Sequence, residues 1–269
     1  MSAPPPPPAR SASTRGQALL NWLFYGPLGA LQFLTIAPPI VRRPFTVAEL
    51  GVAVGFFPLV GLLVGELLAA LDWGLARVFP PALSAALVLA AWVGASGALH
   101  LDGFLDACDG LFGGHTPEAR LCIMRDERVG AFGLVGGVLL LLTQAAALAS
   151  LSARAGPLIL APVVARWAMA LAVIAFPYAR AEGLGRAMKE AAGWPQAVLA
   201  SATALAAGWL VAGLWGLAAL ALAGAVAWLV ARWVLRRLPG LTGDVYGALC
   251  QVIEVLVLLF FALLQHVRP

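Results

Sequence analysis

Asp102, Asp106 and Asp109 stand at positions i, i+4 and i+7 of the stretch His100-Leu-Asp-Gly-Phe-Leu-Asp-Ala-Cys-Asp-Gly110. On an α-helix that spacing confines all three carboxylates to about 60° of arc. Stacked acids repel one another and disfavour the helix unless a cation compensates them. Hard divalent ions bind carboxylate oxygen, and Mg²⁺ prefers one or two carboxylates together with substrate phosphates. The stripe therefore reads as a metal site built from Asp102, Asp106 and Asp109, with Mg²⁺ expected and Mn²⁺ as its substitute. Two ions bridged by the middle carboxylate would also fit. The competing reading is a solvated acidic helix end with no ligand. Against it, the stripe is interleaved with apolar residues and followed by Gly113-Gly114, which permits close backbone approach.

Further ionisable residues gather nearby. Six of the thirteen acids lie between Asp102 and Glu127. Arg125 and Arg128 offer planar donor forks suited to phosphate oxygens, although any cytoplasmic loop attracts arginine. Asp126 and Glu127 could be further ligands or partners of those arginines. Asp244, in Thr242-Gly-Asp-Val-Tyr-Gly247, suits a helix N-terminus on dipole grounds and is also placed to face the stripe. His100 and His115 could shuttle protons or bind a base. Asp106 or Asp109 is the candidate to accept a proton from a nucleophile. Together these residues describe phosphoryl or phosphodiester transfer on a diphosphate, driven by positioning and charge neutralisation.

The elements that hold these residues are membrane helices. Apolar residues make up 62% of the 269 positions and charged residues 11%, more apolar surface than a soluble domain of this size can bury. Spanning stretches are expected at 47–71, 82–99, 131–151, 157–177 and 245–266, and 196–231 is long enough for a hairpin of two. The run 28–40, ending in Pro38-Pro39, is too short to cross and reads as interfacial or re-entrant. The fold class is thus an all-α polytopic membrane helix bundle of about seven helices, with six to eight as the range. Residues 1–16, carrying the run Pro4 to Pro8, are expected as a disordered tail without the pattern of a secretory signal, and 17–269 as one membrane domain.

Basic residues orient the bundle. With seven crossings and the N-terminus inside, thirteen fall inside: Arg10, Arg15, Arg42, Arg43, Arg120, Arg125, Arg128, Arg180, Arg186, Lys189, Arg232, Arg236 and Arg237. Three fall outside, Arg77, Arg154 and Arg268, which places the aspartate stripe at the cytoplasmic face. The same topology accounts for the net charge of +4 without nucleic acid. The three cysteines, Cys108, Cys122 and Cys250, suggest no disulfide framework. Glu66, Arg166 and Glu254 fall inside expected spans, where a functional role or an ion pair such as Glu66 with Arg166 would account for them.

The stretch GALHLDGFLDACDGLFGG followed by RLCIMRDERVGAFG resembles the signature of the cobalamin synthase family, the adenosylcobinamide-GDP ribazoletransferases. Weaker blocks accompany it in order: LQFLTIAPP, GFFPLVGLLVG, YARAEGLG and TGDVYGA. The resemblance implies Mg²⁺-dependent joining of adenosylcobinamide-GDP to α-ribazole or its 5′-phosphate, with release of GMP. It places this at the bacterial inner membrane and carries the acidic motif onto Asp102, Asp106 and Asp109. Arg125, Arg128, Asp126, His100 and Asp244 are the expected substrate contacts. Lipid is the surrounding partner, and a homo-oligomer stays open. A CDP-alcohol phosphotransferase would want a tighter acidic motif containing an Ala-Arg pair, and a transporter would place its acids near the midplane of an inverted repeat.

Overall fold

The computed structural model describes residues 15–267, so the tail expected at 1–16 lies outside the described residues up to position 14. Arg15 and Gly16 already belong to the first helix, α1 (Arg15–Leu20), which continues through a π turn into α2 (Gly26–Leu34). The chain then runs α3 (Val47–Val54), α4 (Phe57–Leu75), α5 (Pro81–Ala95), α6 (Leu99–Cys108) and α7 (Pro117–Ile123). After these come α8 (Ala131–Ser150), α9 (Ala155–Ala175), α10 (Leu184–Ala191), α11 (Trp194–Ala212), α12 (Leu214–Leu235) and α13 (Gly243–Val267). Among the described residues six helices are long and apolar enough to cross a membrane, or seven if α5 and the segment Leu99–Gly113, bent by 89°, count as one span.

The differences from expectation have local causes. The span expected at 47–71 is broken after Val54, and the crossing helix begins at Phe57 with Pro58 in its first turn. Proline has no N–H to give the preceding turn and is tolerated only at a helix start. The span expected at 82–99 stops at Ala95, because Gly97 and Ala98 both take left-handed backbone angles, φ 58° and 60°. That double reversal turns α6 away from the axis of α5. The stretch 196–231 is the expected hairpin, turning at Gly213. The nine-residue α2 is too short to span, and the chain leaves it through extended backbone.

Helix α9 is the centre of the bundle, packed by α4, α11, α12 and α13. Its contact with α4 is made at Gly61 and Gly65, where an added Cβ would sit 2.5 Å from the Pro162 carbonyl oxygen and 2.7 Å from the Ile159 Cα. Such small-xxx-small faces let membrane helices approach closely when no hydrophobic driving force joins them. Opposite, α9 faces α13 through a buried ion pair between Arg166 and Glu254. Trp92 Nε1 at 3.2 Å and Gln251 Nε2 at 3.0 Å also donate to the Glu254 carboxylate. Arg166 is therefore paired with Glu254, whereas Glu66 lies on the exposed face of α4.

At one end of the bundle, called here the far face, Arg154 binds Asp72 Oδ1 at 2.9 Å and the Pro81 carbonyl at 2.9 Å. This joins the end of α4 to the starts of α5 and α9. Gln265 near the end of α13 accepts from Ser152 N at 2.9 Å on the same face. The opposite, or near, face gathers the starts of α8 and α13, the end of α9 and the helix α6.

Arg166→Met should cost about 3–5 kcal/mol, since Glu254 would stay buried without its countercharge. The double variant Arg166→Met/Glu254→Leu should recover most of that loss, read as the midpoint of detergent unfolding by tryptophan fluorescence.

Candidate active site

Helix α6 crosses the first turns of α13 on the near face, at a point where neither helix has a side chain. A Cβ on Gly103 would lie 3.1 Å from the Asp244 Cα, and one on Gly247 3.1 Å from the His100 carbonyl oxygen. Asp102 adjoins Gly103 on α6 and Asp244 opens α13, so the crossing brings carboxylates from two sequence-distant motifs together. Asp102 and Asp244, and Asp109 as well, lie within electrostatic reach of Asp106.

Two loops complete the near face. Tyr178 and Leu241 form a short parallel bridge, with Ala179 N donating to Leu241 O and Leu241 N to Pro177 O, both at 2.8 Å. This stitching delivers Arg180, whose Nη2 pairs with Asp244 and also donates to the Met124 carbonyl at 3.3 Å. Thr242 Oγ1 donates to Asp244 at 3.2 Å and accepts from Val245 N at 3.2 Å, fixing the first turn of α13. Burial raises the Tyr178 phenol above its ordinary pKa, so it stands protonated at neutral pH.

The aspartate stripe does not act as one face. Helix α6 ends at Cys108, and Asp109 opens a π turn running to Gly113. Asp102 is exposed, Asp106 half-buried and Asp109 buried. Asp109 accepts from Gly130 N at 2.7 Å with one oxygen and from Gly133 N at 2.8 Å with the other. It thus supplies, from another helix, the cap that Gly130 cannot give to the N-terminus of α8. Among the described residues no three His, Cys, Asp or Glu side chains converge in an arrangement ready to hold an ion. Asp102 and Asp106 nonetheless carry oxygens that no arginine claims, and Asp244 is close. That donor set fits a hard divalent ion completing its shell with water and phosphate oxygens.

The remaining sequence candidates divide. Arg125 is exposed and lines a shallow groove with Arg180 and Glu118. Arg128 pairs with Asp126 at 3.1 Å in an exposed loop, and that guanidinium holds the Asp126 carboxyl below its usual range. His100 is buried, and both its ring nitrogens lack a hydrogen-bond partner among the described residues. His115 is exposed. Beside Asp102, Asp244 and Arg180 a cavity of about 280 Å³ enters the bundle, and His100, Tyr178 and Tyr246 are in its wall. Sequence reasoning did not single out Arg180, Tyr178 or Tyr246 as site residues. The available signal was their presence in the YARAEGLG and TGDVYGA blocks.

An α-helical bundle of six or seven membrane-length spans, with carboxylates and a guanidinium gathered where α6 crosses α13, is a polytopic membrane protein with a polar site at one end of the bundle. The family described as cobalamin-5-phosphate synthase matches residues 26–262, and the chain belongs to that family. It is 38% identical over 259 residues to the adenosylcobinamide-GDP ribazoletransferase of Roseiflexus sp. (strain RS-1), covering 95% of this chain and 97% of that one. Over 243 residues it is 41% identical to the enzyme of that name from Syntrophobacter fumaroxidans, covering 88% and 97% of the two chains. The Pseudomonas aeruginosa (strain UCBPP-PA14) protein of the same name is 44% identical over 249 residues, again 88% and 97%. No solved structure matches. The resemblance read from the motifs is borne out.

The split stripe separates stability from chemistry. Asp109→Ala should cost about 1–3 kcal/mol, because it leaves two N–H groups at the start of α8 without their acceptor. Asp102→Ala should leave the unfolding midpoint unchanged, and thermal unfolding in detergent would compare the two.

Proposed function

We propose that this chain transfers the adenosylcobinamide phosphoryl group from adenosylcobinamide-GDP to α-ribazole or its 5′-phosphate, releasing GMP. The observation that carries this reading is the near end-to-end similarity to proteins named for that activity. The crossing of α6 and α13 supplies a site of suitable chemistry within the matched region. The near face is proposed as cytoplasmic, in the bacterial inner membrane. Arg43, Arg125, Arg180, Lys189 and Arg236 lie in its loops and short helices, against Arg77 and Arg154 at the far face, and positive residues favour the inside.

In the reaction the ribazole 3′-hydroxyl forms a bond to the phosphorus nearer the corrinoid while the P–O bond to GMP breaks. Asp106 is the proposed acceptor of the hydroxyl proton, since it is half-buried and no arginine pairs with it. Arg180, anchored by Asp244 and the Met124 carbonyl, presents its remaining donors to diphosphate oxygens. Arg125, on the same groove, adds a second cation. Asp102 and Asp106 would hold Mg²⁺, which when bound neutralises charge on the diphosphate and on the departing GMP. Asp109 keeps α6 seated against α8, so its contribution is positioning. A fixed array of charges lowers the barrier because it need not reorganise as the phosphoryl group moves.

Purified protein in lipid nanodiscs, given labelled adenosylcobinamide-GDP, α-ribazole and Mg²⁺, should yield cobalamin and GMP; release of CMP from a CDP-alcohol donor instead would overturn the reading. Asp102→Ala and Asp106→Ala should each lower turnover by about 10³-fold, the equivalent of several kcal/mol of lost charge stabilisation. Full activity in either variant would remove the carboxylates from the mechanism. Arg180→Lys should lose about tenfold, since an ammonium cannot keep Asp244 and still present a donor fork.

A further inference from the structure

The cavity beside the carboxylates is too small for both substrates. At about 280 Å³ it lies near the lower end of the roughly 300–1,000 Å³ typical of small-molecule sites. A corrinoid, with its macrocycle and many amide arms, cannot enter it. We infer that this cavity, between α4, α6, α9, α10 and α13, is the acceptor subsite and takes the planar bicyclic base of the ribazole, leaving the corrinoid outside at the membrane face. The inference rests on the transferase reading above.

Shape and chemistry agree on this occupant. Phe57, Met169, Met188 and Val173 form apolar walls, and Tyr178 and Tyr246 stack at 6.1 Å between centroids with their planes 27° apart. Aromatic and thioether surfaces of this kind favour a flat aromatic ring. Three residues of the wall carry polar atoms without a partner among the described residues: the Tyr246 hydroxyl and the His100 imidazole, both more than nine-tenths buried, and Arg180 Nε. A buried polar group left unpaired is costly, so a ligand that satisfies one is favoured.

Behind His100, the space bordered by Gln144, Arg166, Gln251 and Glu254 has no room for a water molecule. A ligand partner for the imidazole would therefore come from the cavity side, which His100 also lines. A benzimidazole-type nucleoside suits this wall, because its base has one free ring nitrogen as acceptor and an otherwise apolar edge. Guanine, the base of the donor, has donors and acceptors around most of its edge, which Phe57, Met169, Val173 and Met188 cannot pair; the charged lining residues are Asp102, Arg180, Glu182 and Asp244. The cavity opens beside Asp102, Asp244 and Arg180, so a sugar attached to the seated base emerges among the groups proposed to handle phosphate.

The test is a base-specificity measurement on the full-length protein in nanodiscs. Met169→Ala and Met188→Ala enlarge the cavity and should raise kcat/KM for a tricyclic, naphthimidazole-type nucleoside relative to α-ribazole by about tenfold, the worth of a modest change in pocket volume. Tyr246→Phe should raise the KM for α-ribazole about tenfold, as expected for one lost hydrogen bond, with the KM for adenosylcobinamide-GDP within about twofold. A gain on the larger base cannot come from a misfolded enzyme. An unchanged base preference in both methionine variants, or a KM effect confined to the donor, would overturn the assignment. Should the wild type turn over neither nucleoside, the transferase reading fails and equilibrium dialysis of labelled α-ribazole decides the cavity separately. Binding that Tyr246→Phe weakens would keep the subsite, and no binding to the wild type would overturn it.

Discussion

The near face depends on one close contact, the crossing of α6 over the start of α13 at Gly103 and Gly247. Two helices approach this closely only where neither bears a Cβ, and each of these glycines neighbours a residue of the site. Gly103 follows Asp102, and Gly247 follows Tyr246. The same contact that removes side chains at the centre therefore arranges carboxylates and an aromatic ring around its edge. The left-handed pair Gly97 and Ala98 makes the crossing reachable, because a straight continuation of α5 would carry α6 past α13. A non-glycine residue held in that region costs about 1–2 kcal/mol, which the packing of α6 on α13 and α8 must offset.

Beneath the crossing the bundle is polar where a membrane protein is ordinarily apolar. Glu254 is buried with Arg166, Trp92 and Gln251 directed at its carboxylate. Such a cluster adds little net stability compared with apolar packing, since desolvating both charges cancels most of their attraction. It does fix α5, α9 and α13 in one register, and His100 sits between this cluster and the cavity. Glu66, midway along α4, lies on the exposed face of that helix and takes no part in it.

The three aspartates divide their work according to depth. Asp109 is buried and bound by backbone donors, so its negative charge stabilises the start of α8. Asp106 is half-buried and Asp102 exposed, and these are the two proposed to serve substrate and ion. A single helical repeat thus yields one carboxylate bound by backbone N–H groups and two proposed for chemistry. The cause is the neighbour each one meets: Asp109 lies against the first turn of α8, whose Gly130 and Gly133 N–H groups bind it.

Much of the fold was legible in the sequence because lipid imposes a simple rule: a span must be long, apolar and helical. Hydropathy alone located α8, α9, α13 and the α11–α12 hairpin to within a few residues. The ordered motif blocks carried the family, and the acidic stripe carried the region of the site. Helix breaks were harder to read, since Pro58 and the Gly97-Ala98 reversal interrupt stretches that remain apolar throughout. Which side chains meet was decided only by tertiary structure. Arg166 pairs with Glu254 and Arg180 with Asp244 across separations of 88 and 64 residues. Spacing along one helix says nothing about which helix lies opposite. The sequence determined that carboxylates would gather at a helix end; the packing of α6 against α8 and of the Arg180 loop against α13 decided which of them would be bound by the protein itself.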